Sequence, residues 1–205
     1  MSDGYYAYSL GSVTGDEQKV NAWGVHDFLS NLGWTEEAIA GAVGNMQAES
    51  GITPARWESN KPPITDSYEL LKGYSLTQWT NWHKFTDWAY DRDEDARTLT
   101  TALKRIKYEQ NNNLQWYAKA QNNYTTWAQY VTLTDVNLCA KAWAQNYEVP
   151  QGWNTDELIK YRQSLARNWY QVFTGETPPT PPSGGINVNS GSGKIMYYMK
   201  NRNLL

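Results

Sequence analysis

One acidic residue, Glu49, lies where a segment with helical character gives way to a turn. Thr35 is a residue type that caps a helix start, and the Ser-Gly pair before Pro54 is typical of a helix end. A carboxyl group at the end of a packed helix feels the negative end of the helix dipole and partial desolvation, which both raise its pKa. A carboxylic acid that keeps its proton near neutral pH is what a glycosidase uses as general acid. We therefore predict this role for Glu49; the alternative is an exposed last-turn residue without chemistry.

A second segment, residues 73–80 (GYSLTQWT), supplies groups that could hold a sugar opposite that acid. Its alternating character and its strand-forming residues predict a short strand or hairpin. Gln78 and Trp79 would then offer a polar side chain and an aromatic face, although an ordinary surface strand carries such residues too. With Glu49, this segment predicts a two-walled sugar cleft.

The elements that position these groups are mostly helices. The last predicted helix follows Thr155, and its apolar stripe is predicted to run through Leu158, Tyr161, Leu165, Trp169 and Phe173. One small β-hairpin or sheet beside the helix of Glu49, among many helices, predicts an α+β fold that is predominantly helical.

Composition divides the chain into four parts. Residues 1–13 are predicted to be an N-terminal arm, and residues 14–173 a single catalytic domain. Residues 174–193 are rich in Pro, Gly and Ser and predict a linker. Residues 194–205 are too short for a core and are predicted to be a docking segment or the start of a further module.

Charge and residue counts disfavour several other functions. A net charge of −3 gives no support for nucleic-acid binding. With two histidines and Cys139 as the single cysteine, the spacing of a metal site is missing, and we predict no metal and no cofactor. The apolar helical surroundings of Cys139 predict a core role. No apolar run is long enough to span a bilayer, and the N-terminus lacks the order of a signal peptide, so we predict no membrane partner.

Tryptophan and tyrosine are strongly enriched over phenylalanine, with 11 Trp and 15 Tyr against 3 Phe. Flat rings with a hydrogen-bonding edge suit sugar stacking, and they suit an ordinary core as well. We expect about half of these rings to be core residues.

Several motifs in one order resemble the tail-associated lysozyme domain of bacteriophages that infect Gram-positive hosts. This family is a branch of the lysozyme superfamily, related to goose-type lysozymes and lytic transglycosylases. The likeness runs from about residue 21 to 173 and is carried by residues 21–23 (NAW), 32–35 (LGWT), 44–50 (GNMQAES), 73–80, 85–89 (FTDWA), 109–113 (EQNNN) and 147–150 (YEVP).

The resemblance implies a lysozyme-like fold, with Glu49 as the catalytic acid. It implies that Gln78 and Tyr147 lie near the substrate. The full set of predicted substrate-binding residues is Asn45, Ser50, Tyr74, Gln78, Trp79 and Tyr147. The implied partners are peptidoglycan glycan strands and phage tail proteins, and the implied location is the virion tail.

The chain departs from the family where a second catalytic carboxylate is expected. Lysozymes that have one carry an aspartate on this hairpin, whereas Gly73 occupies the corresponding position here. Asp66, Glu69 or Glu58 could activate water for an inverting hydrolysis, although loop carboxylates are mostly just solvated. Alternatively Glu49 acts alone, and the sugar's own 6-hydroxyl attacks, as in a lytic transglycosylase.

The resulting hypothesis is a muramidase that cuts the β-1,4 bond between N-acetylmuramic acid and N-acetylglucosamine during cell-wall penetration by a phage tail. Two other roles stay open at this point. An endolysin would use the same chemistry, and a non-catalytic wall-binding tail protein would keep the cleft without the reaction.

Overall fold

Seven α-helices and one π-helix form the regular structure in the parts of the chain described by the computed structural model, which are residue 13 and residues 15–58, 72–118 and 125–179. The helices are α1 (Gly15–Ser30), α2 (Glu36–Ser50), α3 (His83–Tyr90), α4 (Leu99–Asn111), α5 (Trp127–Tyr130), α6 (Val136–Trp143) and α7 (Asp156–Gly175). The π-helix (Ala144–Glu148) continues α6 directly.

Helix α2 is the central element of the fold. The side chain of Thr35 caps its start by accepting a hydrogen bond from the backbone N–H of Ala38 at 3.2 Å. Gly51 ends it in the left-handed conformation, with φ of 65°. Every residue from position 38 to position 46 is buried, which is typical of a helix that is packed on all sides. The predicted helix with Glu49 in its last turn is confirmed.

Two glycines let neighbouring helices approach the backbone of α2. A Cβ atom added at Gly41 would lie 2.6 Å from Cys139 Cβ of α6, and one added at Gly44 would lie 2.6 Å from the backbone N of Ala166 of α7. Helices separated by such contacts have no room for a side chain between them. Glycine at these two positions therefore sets the spacing of α2, α6 and α7.

The directions of these three helices bring specific ends together. Tyr170 of α7 donates to Glu37 at the start of α2 (Oη–Oε1 3.1 Å), while Arg162 of α7 reaches Glu49 at the end of α2, so the two helices are antiparallel. Helix α6 runs in the same direction as α2, because Thr35 before α2 donates to the carbonyl of Leu133 before α6 at 2.5 Å, and further along both helices Asn45 donates to the carbonyl of Ala140 at 3.0 Å. The end of α2 therefore lies beside the end of α6, the π-helix and the first half of α7.

The predicted hairpin over residues 73–80 is wrong, because the described residues contain no strand or sheet. Only an isolated antiparallel bridge joins Tyr74 to Trp57. Ser75 and Gln78 have φ of 75° and 49°, and these left-handed residues turn the chain twice within a few residues, which prevents an extended strand. The alternation in this segment comes from a loop that buries its aromatic residues. The predominantly helical part of the prediction fits.

Most of the tryptophans belong to the core. Ten of the eleven are buried, whereas only three of the eight described tyrosines are. One aromatic cluster surrounds Trp143, whose ring centroid is 4.3 Å from that of Tyr147. Trp116 and Trp127 lie beside it, with ring centroids 4.4 Å apart and planes tilted by 35°. The aromatic enrichment therefore holds the π-helix against the rest of the fold.

The predicted division into parts stays a prediction. Residues 1–12 and 14, and residues 180–205, lie outside the described residues and contain most of the predicted arm and all of the C-terminal segment. Helix α7 continues to Gly175, slightly beyond the predicted domain end at residue 173. None of the described helices is both long and apolar enough to cross a membrane.

Replacing Gly44 with alanine tests the contact between α2 and α7. The new methyl group meets backbone atoms of Ala166, which cannot move aside cheaply. We expect the free energy of unfolding, measured by urea titration, to fall by about 1–3 kcal/mol, despite the better helix propensity of alanine.

The matched control is Gly15→Ala at the start of α1, where an added Cβ has nothing within 4 Å. This variant is expected to unfold within about 1 kcal/mol of the wild type. Equal stability of the two variants would contradict the close packing of α2 against α7.

Candidate functional site

Glu49 lies in the last turn of α2, with 19% of its side chain exposed. Its Oε1 atom accepts a hydrogen bond from Nη2 of Arg162, which forms an ion pair with it. The Nη1 atom of the same guanidinium donates to the carbonyl oxygen of Asn45 at 2.8 Å. Arg162 therefore fixes the carboxylate relative to the backbone of its own helix.

The position of Arg162 explains why it makes both contacts. Its side chain is only 7% exposed, and a buried guanidinium is costly unless oxygen acceptors surround it. The end of α2 offers such acceptors, because helix C-termini carry partial negative charge. The prediction for Glu49 from sequence considered only the dipole and burial, so the attraction of this cation is a new element of the site.

A second carboxyl group, Glu148, ends the π-helix. Its Oε1 atom accepts a hydrogen bond from the indole Nε1 of Trp143 at 2.9 Å. Burial and the negative charge of Glu49 raise the pKa of Glu148 well above its usual range, against the opposing effects of the indole N–H and of Arg162. Glu148 therefore tends to hold a proton.

The backbone that carries Glu148 is unusual. π-Helices are rare and occur frequently at functional sites. The next residue, Val149, has φ of 45°, a left-handed conformation that is strained for a β-branched side chain. Together the π-helix and this turn set the direction in which the chain leaves the site.

A third carboxyl group, Glu109 of α4, is fully buried beneath the loop of residues 73–80. It accepts hydrogen bonds from Nε1 of Trp79 at 3.1 Å and from the hydroxyl of Tyr147 at 2.5 Å, and Arg105 pairs with it at 2.8 Å. Burial raises the pKa of Glu109, and the charge of Arg105 and the three donors oppose that shift. Trp79 and Tyr147 are both predicted to bind substrate, but their side-chain donors form hydrogen bonds with this carboxyl group.

The other predicted substrate-binding residues surround the end of α2 but bond within the protein. Asn45, Ser50 and Tyr74 are fully buried, and their side chains donate to backbone carbonyl groups. Ser50 bonds to the carbonyl of Leu76 at 2.8 Å and so ties α2 to the loop of residues 73–80. Gln78 is partly exposed and donates to two loop carbonyls. Substrate binding by these six residues stays a prediction.

Packing accounts for the glycine at position 73. A Cβ atom added there would lie 2.9 Å from both Cβ and the carbonyl oxygen of Gln78. An aspartate at Gly73 would therefore displace Gln78. The turn therefore has no space for a second catalytic carboxylate at this position.

The three candidates for a second carboxylate have different placements. Glu58 accepts a hydrogen bond from the backbone N–H of Gly73 at 2.9 Å, so its side chain stabilises the turn. Asp66 and Glu69 lie outside the described residues. A catalytic role for any of the three remains a prediction.

Sequence reasoning missed Arg162 and Glu148 as site residues. A signal for Arg162 was available, because this charged residue shares a helix face with Ala166 and Trp169, four and seven positions further on. Glu148 belongs to the 147–150 motif, but no sequence pattern indicated the π-helix that positions it.

Alternative reaction centres find little support in the described residues. Cys139 is buried, and burial raises the pKa of its thiol to about 12, so the core role predicted for it is confirmed. Across residues 15–58, 72–118 and 125–179, no three His, Cys, Asp or Glu side chains are grouped as metal ligands would be.

Comparisons with known proteins agree with the resemblance seen in the motifs. The model of the phage tail lysozyme family matches residues 20–173, which include Glu49, Glu148 and Arg162. Morphogenesis protein 1 of Bacillus phage B103 is 33% identical over 161 residues, which are 78% of this chain and 41% of that protein. The chain thus spans about two fifths of the length of this relative. Because the family match covers well over half of its residues, the chain belongs to the phage tail lysozyme family.

Proposed function

We propose that the protein is a muramidase of a phage tail that degrades peptidoglycan, with Glu49 as its general acid. The observation that carries this proposal is the geometry at the end of α2. There a partly exposed carboxyl group is held by a buried guanidinium, in a chain of the phage tail lysozyme family. A carboxyl group that is fixed but still accessible is suited to proton transfer to a bound substrate.

The reaction would cut the β-1,4 bond between N-acetylmuramic acid and N-acetylglucosamine. Protonated Glu49 gives its proton to the glycosidic oxygen while the bond from that oxygen to the muramic C1 breaks. Water adds to C1 and releases a proton to the solvent, from which Glu49 is protonated again, so one molecule of water is consumed for each bond. The double hydrogen bonding of Arg162 to Glu49 and to the Asn45 carbonyl limits the motion of the acid and favours a productive orientation.

Two names support a place in the virion tail. The family is described as phage tail lysozyme, and the relative from phage B103 is named a morphogenesis protein. On this proposal the enzyme opens the host wall during genome entry, with glycan strands as substrate and tail proteins as partners. Mass spectrometry of purified particles separates this role from that of an endolysin, which would be absent from them.

A lytic transglycosylase is the second candidate, because the turn at Gly73 has no room for a second carboxylate. In that reaction the 6-hydroxyl of the muramic residue attacks C1, and Glu49 acts first as acid and then as base. No water is consumed.

Replacing Glu49 with glutamine tests the general acid. The amide cannot donate the proton, so we expect the rate of clearing of purified cell walls to fall by about 10²–10⁴-fold. Binding to the walls, measured by co-sedimentation, is expected to persist.

Glu157→Gln, at an exposed position in the first turn of α7, is the matched control and should clear walls at the wild-type rate. Undiminished clearing by Glu49→Gln would contradict the catalytic role. A wild-type protein that binds walls without clearing them would instead be the wall-binding tail protein.

Analysis of the released fragments tests the reaction type. We expect reducing muramic ends that contain the elements of one water molecule, as hydrolysis requires. Mass spectrometry of digested peptidoglycan distinguishes these from 1,6-anhydromuramic ends. Anhydro ends as the main product would contradict the muramidase proposal and support the lytic transglycosylase.

A further inference from the structure

The loop of residues 73–80 and the π-helix are both attached to α2 close to Glu49. Ser50, the residue after Glu49, donates its hydroxyl to the carbonyl of Leu76 in the loop at 2.8 Å. Asn45, one turn before Glu49, donates to a carbonyl of α6 at 3.0 Å. Because α6 runs parallel to α2 and the π-helix continues it, the π-helix extends to the level of Glu49. The loop and the π-helix therefore both border the end of α2.

Glu109 of α4 connects these two elements. Its side chain is fully buried, and Arg105 of the same helix holds its Oε1 atom with an Nε–Oε1 distance of 2.8 Å. Trp79 of the loop donates Nε1 to Oε1 at 3.1 Å, and Tyr147 of the π-helix donates its hydroxyl to Oε2 at 2.5 Å. One carboxyl group thus accepts hydrogen bonds from both elements, and its two oxygen atoms set the separation between them.

Stability alone does not explain a carboxyl group at this position. Removing a charge from water is costly, and a well-packed apolar side chain often stabilises a buried site equally well. The carboxyl group adds acceptors in fixed directions, which an apolar residue lacks. These acceptors hold Trp79 and Tyr147, which are buried themselves, while the adjacent Gln78 and Glu148 are partly exposed. Fixing the two buried rings therefore also fixes the backbone of the residues that meet solvent.

We propose that Glu109 is a positioning residue of the sugar cleft, which holds the loop of residues 73–80 and the π-helix at the separation that a peptidoglycan glycan strand requires. The proposal rests on the proposed function, because it takes the glycan to lie between these two elements. Glu109 does not touch the glycan, since its side chain is fully buried. It acts through Trp79 and Tyr147, so that little ordering of the cleft is needed when the glycan binds.

Two substitutions of similar length at position 109 separate the acceptors from the volume of the side chain. Glu109→Gln keeps an oxygen for the indole of Trp79 and offers an amide N–H to the hydroxyl oxygen of Tyr147. Glu109→Met fills similar space with a sulfur that accepts hydrogen bonds only weakly. Both substitutions remove the charge that faces Arg105, so a difference between them comes from the hydrogen bonds.

The measurement is the dissociation constant of a soluble peptidoglycan tetrasaccharide, determined by isothermal titration calorimetry. Every protein also carries Glu49→Gln, which limits cleavage of the tetrasaccharide. We expect Glu109→Met to raise the dissociation constant about tenfold, because side chains that are no longer held have to be ordered on binding. Glu109→Gln should restore most of the affinity and stay within about threefold of the parent protein.

Gln110→Met is the matched control on the same helix. The amide oxygen of Gln110 accepts from Nε1 of Trp34 at 3.2 Å, so this substitution also removes the acceptor of an indole. Trp34 precedes the start of α2, at the opposite end from Glu49, and the dissociation constant should therefore stay at the parent value. Urea unfolding of each variant establishes that it is folded under the conditions of the binding experiment.

Two results would overturn the positioning role. Equal affinities of Glu109→Met and Gln110→Met would show that the acceptors of Glu109 have no effect on the cleft. Equal weakening by Glu109→Met and Glu109→Gln would show that the loss follows the charge or a general destabilisation, and not the hydrogen bonds.

A double-mutant cycle tests whether Tyr147 acts through Glu109. Tyr147→Phe removes only the hydroxyl, which donates to Glu109, and should weaken binding of the tetrasaccharide. Added to Glu109→Met, the same substitution should have little further effect, because the hydrogen bond is already lost. Effects that multiply would show that the two residues act independently, and this result would also contradict the proposal.

The outcomes distinguish failure of this proposal from failure of the proposed function. A parent protein that binds no tetrasaccharide overturns both. Binding that is the same with and without Glu109→Met overturns only the positioning role. If Glu49→Gln still cuts the tetrasaccharide, the general acid is wrong, and the KM values of Glu109→Met and Glu109→Gln then test the positioning role in place of the dissociation constants.

Discussion

The close approach of α7 to α2 is the constraint on which the site depends. Only a glycine at position 44 lets the backbone at Ala166 lie against α2, and one turn earlier on α7 this places Arg162 at the end of α2. Once there, the buried guanidinium has to find acceptors, and the nearest are the Asn45 carbonyl and Glu49. The position of the proposed acid therefore follows from helix packing as much as from the sequence around it.

The contacts of three carboxyl groups connect the end of α2 with the π-helix. Glu49 and Glu109 each have an arginine partner, whereas Glu148 has the indole of Trp143. Two neighbouring residues of the π-helix thus take part in hydrogen bonds of different carboxyl groups, because Tyr147 donates to Glu109 while Glu148 accepts from Trp143. A substitution in the π-helix would alter the contacts of Glu109 and Glu148 together. Their separate contributions to stability are therefore measured by double-mutant cycles.

Local signals in the sequence predicted α2 and its ends correctly, since a capping threonine and a terminal glycine act within a few residues. Helix α7 was predicted with its stripe displaced: Tyr161 is 54% exposed, and the buried face instead contains Arg162. A search for apolar residues at helical spacing does not identify a charged residue as buried. The ion-pair partner of Arg162 lies more than a hundred positions away in the sequence, so no local pattern indicates the contact. The hairpin was predicted wrongly and the π-helix was missed for a similar reason, because long-range burial of aromatic rings decides the backbone of both segments.

Packing also explains why position 73 holds a glycine and not a carboxylate in this chain. At position 73 a side chain would collide with Gln78, whose amide holds the loop together through its bonds to backbone carbonyls. The loop keeps Trp79 over Glu109, so enlarging it at Gly73 would disturb a buried carboxyl group as well. The end of the π-helix is free of that conflict, since Trp143 there already offers a donor to a carboxyl oxygen. A carboxyl group is therefore compatible with the packing at the end of the π-helix and incompatible with the packing at position 73.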